Sequence, residues 1–303
     1  MDKTLIFICG ATCVGKTSVA IEVAQHFKTQ ILSFDSRQFY KEMQIGTAVP
    51  NVEELSKVKH HFIQNKSIFE SYSLGDYQRE ATEKIQELFQ THSTLVLVGG
   101  SGMYEKSLTK GLDPFPEVEV SIREELTLQL REQGLPTLCE RLKILDPKSF
   151  ESIALDNPQR VIRALEVCIG SGKPFSSFKT QNPIKENALD YNIIKIELIR
   201  ETEELYGRIN QRVEVMMEEG LLEEAKSLYP NRSLNALQTV GYKEIFDYLD
   251  GKISLDFAVE EIKKNTRRYA KRQRTWWRKD LEIHRFHPKE KQEILSFLEK
   301  QIL

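Results

Sequence analysis

The sequence predicts an α/β fold: a three-layer core of the P-loop type around a parallel sheet, carrying in addition a mostly helical insertion. Three observations predict it. Short apolar runs with little polar alternation (TLIFIC, ILSF, TLVLV, NIIKIELI, EIHRF) suit strands covered on both faces. Helical stretches separate these runs, as in a doubly wound sheet. The first run ends in a glycine loop that opens a helix.

In order along the chain, the first strand runs from Thr4 to Cys9, and the helix after the glycine loop from Lys16 to about Phe27. ILSF is a second strand, ending at Asp35, and TLVLVGG (Thr94 to Gly100) a third that again ends in glycines. From Pro114 to Asp190 the periodicity is helical, without a convincing strand. Within it, SIREELTLQLREQG and PQRVIRALEVCIGSG each stop at Gly, a common helix C-cap. Strands follow at Asn192 to Ile199 and Glu282 to Phe286, with a long helical pair, LYGRINQRVEVMMEEGLLEEAKSLY, between them. Asn265 to Lys279 is helical by composition, and KEKQEILSFLEKQIL is a short last helix. The predicted division is a core of residues 1–113 and 191–303, which includes the basic helix, and an insertion of residues 114–190.

The 303 residues are 40% hydrophobic and 29% charged, enough to bury a core and unlike a disordered or fibrous chain. No apolar run approaches the roughly 18 residues of a membrane helix. The N-terminal run lacks a small-residue cleavage site and continues into the glycine motif, so a strand is expected there and not a signal peptide. The four cysteines, Cys9, Cys13, Cys139 and Cys168, form no CxxC pair. Neither a disulfide framework nor a zinc site is indicated, and a reducing, cytoplasmic compartment is expected. His60 and His61 are adjacent and point apart on a strand, which favours structure over metal binding. The net charge of −2 hides a polarised distribution: Lys263 to Lys279 holds nine basic residues and no acidic one, leaving −11 on the rest. A basic block on an acidic body points to an anionic partner, most plausibly nucleic acid. No exposed apolar seam is evident, so a monomer is expected.

Gly10-Ala11-Thr12-Cys13-Val14-Gly15-Lys16-Thr17 fits G-x-x-x-x-G-K-[ST] between a strand and a helix. Backbone N–H groups of such a loop wrap a phosphate, and the helix N-terminus adds partial positive charge. Lys16 supplies a cation for the terminal phosphates, and the Thr17 hydroxyl can reach a metal or a phosphate oxygen. ATP is the default ligand of this motif, but any diphosphate offers similar oxygens. Asp35 follows the second strand, where strand ends line the ligand crevice. It is a metal-binding carboxylate, a general base, or an N-cap of the next helix; position alone leaves all three open.

The phosphate loop together with DSRQFY (Asp35 to Tyr40) resembles the tRNA dimethylallyltransferases, also called tRNA isopentenyltransferases. The resemblance continues in order through QIGTAVP, HHFI, GGSGMY, DNPQRVIRALEV, RINQR, VGYKE and TRRYAKRQRTWWR, over nearly the whole chain. It implies transfer of a dimethylallyl group from dimethylallyl diphosphate to N6 of adenine 37, beside the anticodon of tRNA. The phosphate loop (Gly10 to Thr17) would then hold the donor's diphosphate, with Mg²⁺ as helper near Thr17 and Arg208 clamping the leaving group. Asp35 would take the proton from the amine, which makes Asp35, Lys16, Thr17 and Arg208 the implied catalytic set. Together with Asp35, Ser36, Arg37 and Gln38 would hold the flipped base or its neighbours. Ser101 stands where the family usually has threonine; it keeps the hydroxyl and loses a methyl.

Further implied tRNA contacts are Arg123; Gln159, Arg160, Val161, Ile162 and Arg163; and Gln238, Thr239, Val240, Gly241, Tyr242 and Lys243. Related bacterial sequences often start that last segment with arginine, so Gln238 removes a charge. On the basic helix, Arg267, Lys271, Arg274 and Arg278 fall three or four apart, one stripe suited to an RNA backbone. The interleaved Tyr269, Trp276 and Trp277 are read as stacking platforms or as core anchors, the latter favoured for the two tryptophans. Three rival functions are adenylate isopentenyl transfer to free nucleotides, a small-molecule P-loop kinase or ATPase, and a non-catalytic RNA-binding module. The basic helix and large insertion speak against the first, and intact Lys16, Thr17 and Asp35 against the last.

Overall fold

The computed structural model describes residues 3–179 and 191–302. Six strands, β1 (Thr4–Gly10), β2 (Ile31–Ser33), β3 (His60–His61), β4 (Thr94–Val98), β5 (Asn192–Leu198) and β6 (His284–Phe286), form one sheet in the order β3-β2-β4-β1-β5-β6. Every pairing is parallel. The first helices are α1 (Lys16–His26), α2 (Val52–Lys57), α3 (Leu74–Leu88) and α4 (Gly102–Thr109). Then come α5 (Val120–Leu145), α6 (Pro147–Ser152) and α7 (Pro158–Ser171). The rest are α8 (Thr202–Glu218), α9 (Leu221–Leu228), α10 (Tyr242–Leu249), α11 (Leu255–Trp277) and α12 (Lys291–Ile302).

The apolar runs become strands because each side chain finds an apolar layer. In β1, Ile6 and Ile8 pack with Val19, Leu205, Ile209 and Leu298 of α1, α8 and α12. The alternate residues, Leu5, Phe7 and Cys9, pack with Tyr77, Ile85 and Leu108 of α3 and α4 and with Trp277 of α11. Leu5, Ile6, Phe7 and Ile8 have no exposed surface, and each contributes about 1.5–3 kcal/mol on burial. This is the predicted three-layer α/β core. Two differences are local. β2 stops at Ser33, one residue before the predicted apolar run ends, and EIHRF pairs over its last three residues alone.

The chain divides into two compact units, Met1–Thr109 with Leu189–Leu303, and Lys110–Ala188. In the second, α5 and α7 pack around Leu126, Leu138, Leu142, Val161, Ile162 and Leu165. The helix stop predicted at Gly134 is a kink: its φ of 80°, with Pro136 just beyond, interrupts α5, which continues to Leu145. The predicted insertion limit at residue 190, the start at Met1-Asp2 and the last residue of the final helix, Leu303, lie outside the described residues.

In the first unit, the carboxyl ends of β1, β2, β4 and β5 carry the phosphate loop, Asp35, the Gly99–Ser101 turn and Arg200. Parallel strands put all of these ends along one edge, where an open α/β sheet binds ligands.

Candidate active site

The phosphate loop leaves β1 through Gly10, whose φ of 139° and 2.7 Å approach of a would-be Cβ to Leu198 O admit no side chain. Its carbonyls are drawn to cations. Lys16 Nζ donates to Gly10 O (3.1 Å) and Ala11 O (2.9 Å), Arg208 Nε to Cys13 O (2.9 Å) and Arg200 Nε to Val14 O (2.8 Å). The first-turn N–H groups of α1 have no i−4 partner inside the helix and so are available to an anion. Loop, Lys16 and Thr17 line a cavity of 640 Å³ together with Asp35, Arg208 and Arg212. Part of its wall is apolar, with Ile45, Val49, Pro50, Val215 and Met216 also lining it.

Enclosure in the loop lowers the Lys16 pKa to about 8; the Asp35 carboxylate works against this and the Arg212 guanidinium adds to it. Lys16 is therefore protonated below about pH 8 and loses its charge above it. Titration of the protein with inorganic diphosphate is expected to show affinity falling as pH rises through about 8. A flat profile from pH 7 to 9.5 would separate Lys16 from the anion.

A second cavity of 400 Å³ shares Thr12, Asp35, Thr47, Ala48, Arg212 and Met216 with the first. Its own lining includes Ser36, Arg37, Gln238, Thr239, Val240, Gly241, Lys243, Tyr269 and Arg272. Asp35 thus borders both spaces. Asp35 Oδ1 accepts from Arg37 N (3.1 Å), which is the turn-capping role, while Oδ2 has no partner among the described residues. One oxygen fixes the loop and the other stays open to a proton. The Ser101 hydroxyl accepts from Ser36 N and donates to Ser36 Oγ, both at 3.2 Å, with Tyr269 beside it. Burial, and then Asp35, push the Tyr269 phenol up to about 12, so it remains a neutral hydroxyl.

Several predicted contacts are differently engaged. Arg37 donates to Asn235 O and Ala236 O, and Gln38 to Thr47 O and Ala48 O; both brace loops through main-chain carbonyls. Tyr242 has no exposed surface, and its hydroxyl donates to Glu224 Oε1 (2.6 Å). It is a core residue, unlike Gln238 and Lys243, which are exposed beside it. In the second unit, Val161 and Ile162 face the α5–α7 core at 0% and 1% exposure, so their side chains are closed to any partner. Arg160 and Gln159 are exposed. Arg123 holds Glu166 (2.9 Å) and Gln159 (3.1 Å), and Arg163 holds the same buried Glu166.

α11 divides the predicted stripe. Arg267 donates to Asn210 Oδ1 (2.6 Å) and Arg274 to Thr202 Oγ1 (2.9 Å), tying the helix to α8. The exposed cations are Arg268, Lys271, Arg272, Arg278 and Lys279. Trp277 is a core anchor at 1% exposure, whereas Trp276 lies against Gly102 and remains 38% exposed. His60 bonds Val58 O through Nδ1 and His61 bonds Gln30; His60 also lines the first cavity, where its buried Nε2 has no hydrogen-bond partner among the described residues. The four cysteines are unpaired.

The sequence reading missed Arg200, Arg212, Glu224 and Gln273 as site residues. Arg212 had a local signal, standing four residues after Arg208 on the same helical face. Glu224 had none: its carboxylate accepts from Gln44 N, Ile45 N and Gly46 N, fixing a wall of the first cavity from a distant helix.

The family model for IPP transferase matches residues 38–280. A Flavobacterium johnsoniae protein named tRNA dimethylallyltransferase is 52% identical over 303 residues, covering 98% of this chain and 97% of its own. Among solved structures, the full-length tRNA isopentenylpyrophosphate transferase of Bacillus halodurans is 36% identical, with a TM-score of 0.73 over 100% of this chain and 97% of that one. A eukaryotic dimethylallyltransferase described as acting on tRNA gives a TM-score of 0.76 at 26% identity, over 94% of this chain and 74% of that one.

Proposed function

The chain belongs to the IPP transferase family, and on that premise we propose that it transfers a dimethylallyl group from dimethylallyl diphosphate to N6 of adenine 37 of tRNA, releasing diphosphate. The observation that carries this reading is the position of Asp35 on the shared border of an anion-cradling cavity and a second, cation-lined one. The donor's diphosphate sits on the phosphate loop, with its allylic carbon toward Asp35 and its methyl groups on the apolar wall. The flipped adenine enters from the other side, past Ser101 and Tyr269. As N6 attacks C1 of the allyl group, the C1–O bond breaks. Its electron pair leaves with the diphosphate, and an N6 proton passes to the Asp35 carboxylate. Lys16, Arg208 and Arg212 offset the charge that develops on the leaving group.

Among the described residues, no group of three or more His, Cys, Asp and Glu is placed to hold a metal. The Thr17 hydroxyl at the start of α1 nevertheless suits Mg²⁺, which keeps several waters and is held largely by substrate phosphates. Bound there, Mg²⁺ would neutralise charge on the departing diphosphate.

Arg123, Gln159, Arg160 and Arg163 of the insertion, and the exposed cations of α11, contact the tRNA backbone. Replacing Arg268, Lys271 and Arg272 together by Gln is expected to weaken tRNA binding and reduce the slope of log K against log salt by about 2. An unchanged slope would turn this face of α11 away from the RNA.

The reading as a whole is tested with labelled dimethylallyl diphosphate, offered to unmodified tRNA with AMP and ATP as competing acceptors. Label on the tRNA adenine is the expected result; label on the free nucleotide would replace the proposal with adenylate isopentenyl transfer.

A further inference from the structure

Within the most cationic stretch of the chain, one position on α11 is neutral, polar and buried. Gln273 has 6% of its surface exposed, among Lys271, Arg272 and Arg274. A buried carboxamide is tolerated only where its donors and acceptor find partners. Gln273 finds them on two loops far away in sequence. Its Oε1 accepts from Thr12 N (2.8 Å) in the phosphate loop, and its Nε2 donates to Gly100 O (2.9 Å) after β4. The fit is close: a Cβ on Gly100 would stand 2.2 Å from Gln273 Nε2. The residues one turn either side complete this inner face, with Tyr269 beside Ser101 and Trp276 against Gly102. The exposed cations lie on the other side of the same helix.

We propose that Gln273 is a positioning residue of the donor site, through which the RNA-facing helix holds the phosphate loop at Thr12 in the conformation that receives a diphosphate. This rests on the reading of the loop as the diphosphate site. Thr12 N–H is a loop amide that would otherwise be free to turn toward an anion. Gln273 takes it, Val14 N turns back to Ala11 O (3.4 Å), and the first-turn amides of α1 and Lys16 are left to the ligand. Lys16 fixes the carbonyls of Gly10 and Ala11 on one side of Thr12, and Arg208 and Arg200 those of Cys13 and Val14 on the other. Gln273 supplies the one hold in this series on an N–H. Without it, the segment between Ala11 and Cys13 is free to reorient, and the cradle has to be rebuilt each time a diphosphate binds.

Two variants test the proposal. Gln273→Met keeps length and volume and removes both hydrogen bonds. It is expected to raise the KM for dimethylallyl diphosphate and the Kd for inorganic diphosphate about tenfold, the order of an unsatisfied buried donor. The KM for tRNA should stay within about twofold. Gln273→Glu adds a pH readout. Protonated, the new carboxyl can accept from Thr12 N and donate to Gly100 O, as the carboxamide does. Ionised, it repels Gly100 O and the incoming anion. Its donor KM should therefore approach the native value near pH 6 and rise with pH more steeply than in the native protein. If donor and tRNA KM rise together in Gln273→Met, or only its Tm falls, Gln273 serves helix packing and the proposal is overturned. Inorganic diphosphate binding reads the inference even if the native protein prenylates no tRNA, so the two failures are distinguishable.

Discussion

Asp35→Asn lowers the rate of transfer to tRNA by about 10²–10⁴, the usual worth of a general base, while tRNA affinity stays within about twofold. Asparagine is the informative replacement. Its side-chain oxygen can still accept from Arg37 N, as Asp35 Oδ1 does at 3.1 Å, so the turn after β2 survives. What it removes is the ionisable carboxylate, and with it the ability to take a proton, at a residue that borders both cavities. The comparison therefore separates base from cap, two of the three roles that the sequence left open for this residue. Single-turnover rates with saturating donor and tRNA are the measurement. An Asp35→Asn protein that keeps a tenth or more of the native rate would make Asp35 a turn cap and nothing further.

Lys16→Met lowers kcat/KM for dimethylallyl diphosphate by about 10²–10³, equivalent to roughly 3–4 kcal/mol of stabilisation lost from the leaving group. Stability should move little. Folding lowers the Lys16 pKa to about 8, so the folded state already disfavours its charged form near neutral pH. Replacing it by an apolar chain of similar length leaves Gly10 O and Ala11 O without Nζ but removes that penalty. A melting temperature near native, with a large loss of donor kcat/KM, is the expected pair of results. A large fall in melting temperature with donor kinetics preserved would make Lys16 a loop brace and not a phosphate ligand.

Much of this site was legible because it is local. A glycine loop between strand and helix, and a carboxylate just past the next apolar run, are short-range patterns, and parallel pairing sets both at one sheet edge. The errors have a common cause as well. A linear motif runs through surface and core alike, since successive helix residues turn by about 100°. QRVIR therefore mixes exposed Gln159 and Arg160 with buried Val161 and Ile162, and VGYK sets buried Tyr242 beside exposed Lys243. The basic helix repeats the lesson: of the predicted stripe, Arg267 and Arg274 are spent on α8, while Lys271 and Arg278 are exposed together with Arg268, Arg272 and Lys279. Arg200, Glu224 and Gln273 were invisible because each acts on backbone atoms more than 170 residues distant, which no spacing within a motif encodes.

The hydrogen bond between Thr12 and Gln273 joins positions 261 residues apart. During synthesis the loop motif emerges among the first residues, while Arg200, Arg208 and Gln273 are still to be translated. At about 5–20 residues per second the wait for Gln273 is roughly 13–50 s. β1 also lacks its neighbour β5 for most of that interval. A nascent chain halted before α11 would thus display the phosphate-binding signature in full while lacking the contact that closes it. Ribosome-bound chains carrying a C-terminal linker long enough to expose the last residue, and ending before or after α11, should differ sharply in their capacity to retain diphosphate.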